Sequence, residues 1–180
     1  MSETPLWSPS PAAIAASPMT AFMKAAAQAG GGEIGDYDRL HRWSVEDRET
    51  FWSLVWDQCG VIGEKGARVM VDGERMPGAT FFPDARLNFA ENLLRRKGGE
   101  EAIVFRGEDK VERRLSWDDL HALVSRMQQL FRAEGVKAGD RIAGMMPNMP
   151  EAVAAMLAAA SLGAIWSSCS PDFGVQGVLD

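Results

Sequence analysis

The chain has 180 residues, of which 46% are hydrophobic and 24% charged, and its formal net charge is −6 at pH 7. That balance suits a folded globular protein with one sizeable core and excludes wholesale disorder. The acidic charge excludes a basic nucleic-acid-binding face, and short basic runs such as Arg95-Arg96-Lys97 and Arg113-Arg114, flanked by acids, read as solvated surface.

Residues 1–16, with Pro5, Pro9 and Pro11 among serines and alanines, read as an extended arm. Ser17-Pro18 then opens a helix, an N-cap followed by proline at the first helical position. Met19, Phe22, Met23 and Ala26 share one face of it, and Gly30-Gly31-Gly32 ends it. That triplet follows a helix and lacks GxGxxG spacing, so it reads as a linker and not a phosphate loop. Ser44 is predicted to cap a second helix, with Glu46 and Asp47 in its first turn. Phe51, Trp52, Val55, Trp56 and Cys59 give that helix a wide apolar stripe. The three tryptophans from Trp43 to Trp56 could form a ligand platform, but their spacing favours packing anchors.

From Gly60 to Pro83, Asp72-Gly73 suggests a turn between Ala67–Val71 and Arg75-Met76. Asn88 is predicted to cap a short helix, Phe89–Arg95. Ala102–Phe105 and Val111–Leu115 read as strands joined by a turn at Gly107-Glu108-Asp109. Ser116 with Asp119 is a near capping box, and Trp117, Leu120, Val124, Met127 and Phe131 carry a helical stripe as far as Gly135. Arg141–Met146 reads as a strand and Pro147–Pro150 as a tight connection. Glu151–Leu162, apolar on nearly every side, reads as a helix buried between layers and ended by Gly163. Ala164–Ser168 is the next strand, and Phe173–Leu179 looks like the opening of another helix. Strand, helix, strand and helix with short connectors describe βαβ units feeding a parallel sheet. Since the final helix stops at Asp180 after barely two turns, the expectation is a truncated domain.

Cys59 and Cys169 form neither a CxxC nor a Cys/His cluster, which argues against zinc or a disulfide framework and suits a reducing compartment. The N-terminus lacks a basic segment followed by an apolar one. The longest apolar run, Ala152–Ala160, is about half of what a bilayer span needs. The expectation is a cytoplasmic protein without membrane insertion. The two histidines offer no catalytic pattern: His121 reads as a partly exposed helix residue and His41 as a loop residue. Ligands gather at the carboxyl ends of strands in open α/β sheets, so Ser168–Phe173 is the best local position for a ligand contact. Cys169 there reads as a small buried thiol. Asp172 reads equally well as a ligand-site residue and as the cap of the following helix.

Several stretches resemble the acyl-adenylate-forming superfamily and, within it, the short-chain acyl-CoA synthetases. Tyr37-Asp38 through Ile62 is similar to their N-terminal module, and Leu87–Leu94 (LNFAENLL) to that module's closing signature. Ser116–Leu120, Gly135–Ala143 and Met146-Pro147-Asn148 through Gly163-Ala164-Ile165 resemble the superfamily's first core region, in order. Leu6-Trp7-Ser8-Pro9, Phe81–Asn88 and Trp166–Gly174 draw the resemblance toward the branch that activates acetoacetate rather than acetate or butyrate. The implied organisation is an arm and helix at residues 1–36, the synthetase N-terminal module at 37–97 and an incomplete AMP-binding domain at 98–180. The implied fold is α/β, a helical module followed by the start of a layered βαβ sheet domain.

The implied reaction has two steps. A carboxylate attacks the α-phosphorus of Mg-ATP, giving an acyl-adenylate and pyrophosphate; the CoA thiol then attacks the adenylate and releases AMP. The implied substrates and cofactors are therefore acetoacetate, ATP, Mg²⁺ and CoA. The Ser/Thr/Gly-rich phosphate loop, the catalytic lysine and any metal ligand are expected outside these 180 residues, in the rest of the same polypeptide, with the segment inactive by itself. Acetyl-CoA synthetases carry a glycine pair along the CoA route where this chain has Pro171-Asp172. The resemblance thus implies a CoA-side loop at Ser170, Pro171 and Asp172 without fixing an individual contact. A stand-alone nucleotide- or CoA-binding module and an interaction domain built on the tryptophan helix are the competing readings.

Overall fold

The computed structural model describes residues 6–108 and 110–179; the early arm's Pro5 and the turn residue Asp109 lie outside them. The chain divides into two compact units, Met1–Arg86 and Leu87–Asp180.

The first unit is mostly helical. The arm is not extended throughout, because Pro11–Ala15 forms a short helix, α1. Ser10 caps it, Oγ accepting from Ala13 N at 3.2 Å, with Pro11 in the first turn. This is the same serine-proline device that opens α2, Pro18–Ala26, where Ser17 Oγ accepts from Thr20 N at 3.1 Å. A wide turn, Ala27–Gly31, closes α2. Ser44 does not begin the next helix. It lies inside α3, Tyr37–Glu46, which Asp36 caps by accepting from Arg39 N at 2.8 Å. Asp47, at φ −123° and ψ 66°, breaks the helical path and caps α4, Arg48–Gln58. His41 is accordingly a helix residue and not a loop residue.

The core of this unit is Ala26, Leu40 and Trp43, surrounded by Phe22, Met23, Ile34, Phe51 and Leu54. The Phe51 ring meets Phe22, Trp43 and Trp52 edge-on, with centroids 5.9, 6.0 and 5.2 Å away. Trp43 and Trp56 are buried, as packing anchors should be, while Trp52 is 37% exposed and leans on Phe81. The glycine-rich segment that follows pairs differently from the sequence expectation. Asp72 does turn the chain, with φ 53°, but β1, Met70–Val71, pairs with β2, Thr80–Phe81, and not with Arg75-Met76. Further turns, Arg75 N to Asp72 O and Ala79 N to Arg75 O, carry the chain past Arg75 before it can pair. Arg68 Nε grips Asp84 Oδ2 at 2.9 Å, and Lys65 Nζ reaches Ser53 O, Ser53 Oγ and Asp57 on α4.

The second unit opens with α5, Phe89–Leu93, capped by Asn88 and shorter than expected at its C-terminus. An antiparallel hairpin follows, β3 (Glu101–Gly107) with β4 (Val111–Ser116), in register at Phe105↔Arg113. α6, Trp117–Ala133, carries the full capping box: Ser116 Oγ accepts from Asp119 N, and the Asp119 carboxylate accepts from Ser116 N. β5 (Arg141–Met145), α7 (Pro150–Ser161) and β6 (Ile165–Cys169) form one βαβ unit with the strands parallel. α8, Val175–Leu179, ends the described chain. Leu120, Val124, Ala154, Leu157 and Ala158 make the core with Ala90, and Leu157 is fully buried. The architecture is α/β, a helical segment followed by a parallel βαβ unit.

Candidate functional site

The parallel pair fixes which end of the second unit can receive a ligand. Its register runs from Arg141↔Ile165 to Met145↔Cys169. Backbone bonds continue beyond both ends, Ile165 N to Asp140 O at 2.7 Å and Met146 N to Cys169 O at 3.1 Å. The carboxyl ends of both strands therefore emerge together. The connections leaving them, Met146–Met149 and Ser170–Gly174, form the edge where ligands collect in open α/β sheets.

The second connection is closed on itself. Ser170 Oγ donates to Asp172 Oδ2 at 3.0 Å and accepts from Asp172 N at 3.3 Å, while Phe173 N reaches Ser170 O at 3.1 Å. Pro171, between them, has no N–H to satisfy. Pro171 and Asp172 are exposed, Ser170 half-buried. Asp172 does not cap the following helix: α8 starts only at Val175, and the carboxylate is engaged by Ser170. Cys169 is only partly buried at the strand end, not the fully buried thiol expected there. Beneath this edge Trp166 lies against Gly144, where an added Cβ would stand 2.6 Å from Trp166 Cη2.

Next to the first connection stands a pair that sequence reasoning missed. Arg113 Nη2 on β4 bonds Glu151 Oε1 in the first turn of α7 at 2.7 Å. The Arg113 hydrogen bond holds the Glu151 carboxyl below the usual carboxylate range, with the opposing desolvation outweighed. Arg113-Arg114 was expected to be a solvated run, and that description suits Arg114, which bonds the exposed Glu101 and Glu112. The available signal was the strand alternation, which sets Arg113 and Arg114 on opposite faces of β4.

Neither histidine joins this edge by a bond of its own. His121 Nε2 contacts Arg96 O at 2.8 Å, and the exposed His41 stacks on Tyr37 in the first unit. A cavity of about 600 Å³ in that unit is lined mainly by Met19, Phe22, Leu40, Phe51 and Val55. It lacks convergent charge, and its Ser44 hydroxyl already donates to His41 O at 2.7 Å, so it reads as a cleft between packed helices. Among the described residues no three His, Cys, Asp or Glu side chains converge to hold a metal, and no helix is long and apolar enough to cross a membrane.

Comparison with known proteins places this geometry. The chain is 60% identical over 178 residues to the acetoacetyl-coenzyme A synthetase of Rhizobium meliloti, covering 99% of this chain and 27% of that protein. It is 40% identical over 170 residues to the malonamoyl-CoA synthetase of Penicillium aethiopicum, covering 90% of this chain and 24% of that protein. The solved structure of the acetoacetyl-CoA synthetase from Streptomyces lividans superimposes with a TM-score of 0.88 at 41% identity, over 98% of this chain and 28% of that one. The chain thus spans about a quarter of the length of the relatives it matches. Residues 37–93 match the acetyl-coenzyme A synthetase N-terminus family. Residues 89–179, half of the chain and the whole of the βαβ edge, match the AMP-binding enzymes, and the chain belongs to that family.

Proposed function

We propose that the protein carrying this chain is an ATP-dependent ligase that joins acetoacetate to CoA. In the first step a carboxylate oxygen of acetoacetate bonds to the α-phosphorus of ATP, and the bond to the β-phosphate oxygen breaks, releasing pyrophosphate. In the second, the CoA sulfur bonds to the acyl carbon, the carbon–oxygen bond to AMP breaks, and the thiol proton is lost. The observation that carries this reading is the 60% identity across 99% of the chain to a protein named for that product. The cytoplasm, where ATP and CoA are both supplied, is the proposed location, and Mg²⁺ and the ATP phosphates are assigned to residues outside this segment.

Within the segment the Ser170-Pro171-Asp172 loop is the proposed CoA-side element. Its place at the carboxyl end of β6 and its exposure support that role. Because Asp172 is tied to Ser170, its carboxylate shapes the loop rather than meeting the anionic phosphates of CoA. The acyl group is a separate question. Identity of 40% to a malonamoyl-CoA synthetase means that much of this segment is compatible with more than one acyl partner, so a different short carboxylic acid is the second reading.

The test is thioester formation by the complete polypeptide with ATP, CoA and a panel of acetoacetate, acetate, butyrate and malonamate. Acetoacetate is expected to give the highest kcat/KM, with one AMP per thioester. ADP in place of AMP would sink the adenylate mechanism, and no thioester from any acid would sink the ligase reading; preference for another acid would replace only the substrate. Asp172→Ala is expected to raise KM for CoA several-fold while acetoacetate-dependent ATP–pyrophosphate exchange stays unchanged.

A further inference from the structure

The start of α7 has proline at its first position but lacks a side-chain cap. Its N-cap is Met149, with no side-chain hydrogen bond, and Pro150 has no N–H. Glu151 supplies the negative charge that complements the first turn, and Arg113 reaches across from the hairpin to hold that carboxylate. The other carboxylate oxygen, Oε2, is buried without a hydrogen-bond partner among the described residues, so the guanidinium is the main group that orients Glu151. The side chains are 38% and 25% exposed, so this pair contributes little to global stability. What it supplies is direction. Ala152 N and Val153 N both donate to Met149 O, Met149 N donates to Pro147 O at 2.9 Å, and Met146 N donates to Cys169 O. A shift of the first turn of α7 is thereby passed along four residues to the strand that launches Ser170.

We propose that Arg113 and Glu151 are positioning residues for the carboxyl-edge loops, fixing Met146–Met149 directly and Ser170–Asp172 through the Met146–Cys169 bond. The inference rests on the CoA-side reading of that edge. Neither side chain touches substrate; both set where the loops stand. Misplacement by about 1 Å can cost on the order of a hundredfold in a positioned reaction, so a loosened anchor is expected to have an effect well above its stability cost.

The experiment compares Arg113→Met, Arg113→Lys and Glu151→Gln in the complete polypeptide, with Asp172→Ala as reference. Arg113→Met is expected to raise KM for CoA about tenfold, within the range that misplacement allows, with ATP–pyrophosphate exchange changed less than about twofold. Arg113→Lys should recover most of the loss, since it keeps the charge opposite Glu151. Amide hydrogen exchange should quicken at Met146, Met149, Ser170, Asp172 and Phe173 in Arg113→Met, with Leu120–Met127 in α6 unaltered. Unchanged exchange in the loops overturns the proposal whatever the kinetics show. So does acceleration extending through α6 with both half-reactions falling together, the mark of a weakened fold. If Asp172→Ala leaves KM for CoA unaltered, the CoA-side reading fails, and loop exchange alone then decides the positioning role.

Discussion

Asn88 stands between two helices and uses both atoms of its amide. Oδ1 accepts from Glu91 N at 3.2 Å to cap α5, and Nδ2 donates to Ala160 O at 3.0 Å, satisfying a carbonyl in the last turn of α7. Asn88→Ala removes both bonds and is expected to cost roughly 1–3 kcal/mol in urea unfolding. Asn88→Asp keeps the cap but points a carboxylate at the α7 carbonyls, so it too should destabilise; a neutral result would show that the Nδ2 contact carries no weight. Among the described residues, three carboxyls are held below their ordinary range by hydrogen bonds: Asp84 from Arg68, Asp119 from Ser116, Glu151 from Arg113. Each has a lower folded than unfolded pKa, so the unfolded chain binds more protons as pH falls. Their contribution is fully present above the unfolded values, about pH 4, and is lost as pH drops through the folded ones. The thermal midpoint should therefore decline below about pH 4, and less steeply when Asp84, Asp119 and Glu151 are replaced by amides.

At the level of elements, what could be read from the sequence was whatever was local. Ser116 and Asp119 announce α6 within four residues, and the Ser17-Pro18 start of α2 needs no distant partner. α3 was missed although Leu40 and Trp43 share one buried face of an otherwise polar helix, because Ser44 offered a plausible cap of its own within it. The signal lay in Asp36 before a first turn containing Asp38. β1 and β2 failed for the opposite reason: two-residue strands carry no periodicity, and their pairing is decided by the turns between them. The sheet also holds a close fit that sequence hides. Gly144 has no positive φ to justify glycine, yet Cβ there would meet Trp166 Cη2 at 2.6 Å and Cζ2 at 3.0 Å. Gly144→Ala should cost roughly 1–3 kcal/mol through overpacking. Trp166→Leu is expected to cost less in the alanine background than in the native one, a coupling measurable by a double-mutant cycle.

For the molecule as a whole, each unit has its own buried cluster, and the candidate site belongs to the second. The location of that site was legible because strand, helix and strand in order define a carboxyl edge; the Arg113–Glu151 anchor was not, because only folding brings β4 to the start of α7. The same unit sets the behaviour of the isolated 180-residue chain. Parallel sheets are normally covered on both faces, whereas here the parallel sheet has two strands, with Met145 55% and Ile165 54% exposed. Val175 and Leu179 on α8 are exposed by 79% and 75%. Exposed apolar surface next to unpaired strand edges favours association. The isolated chain is therefore expected to bind an apolar dye and to show a mass by light scattering that rises with concentration. Replacing Met145 and Ile165 with threonine should lower both signals, since it removes apolar surface while keeping strand-compatible side chains. A chain that stays monomeric, excludes the dye and unfolds in one cooperative transition would mean that its own residues cover this sheet in solution, and that the parallel pair is stable without further strands.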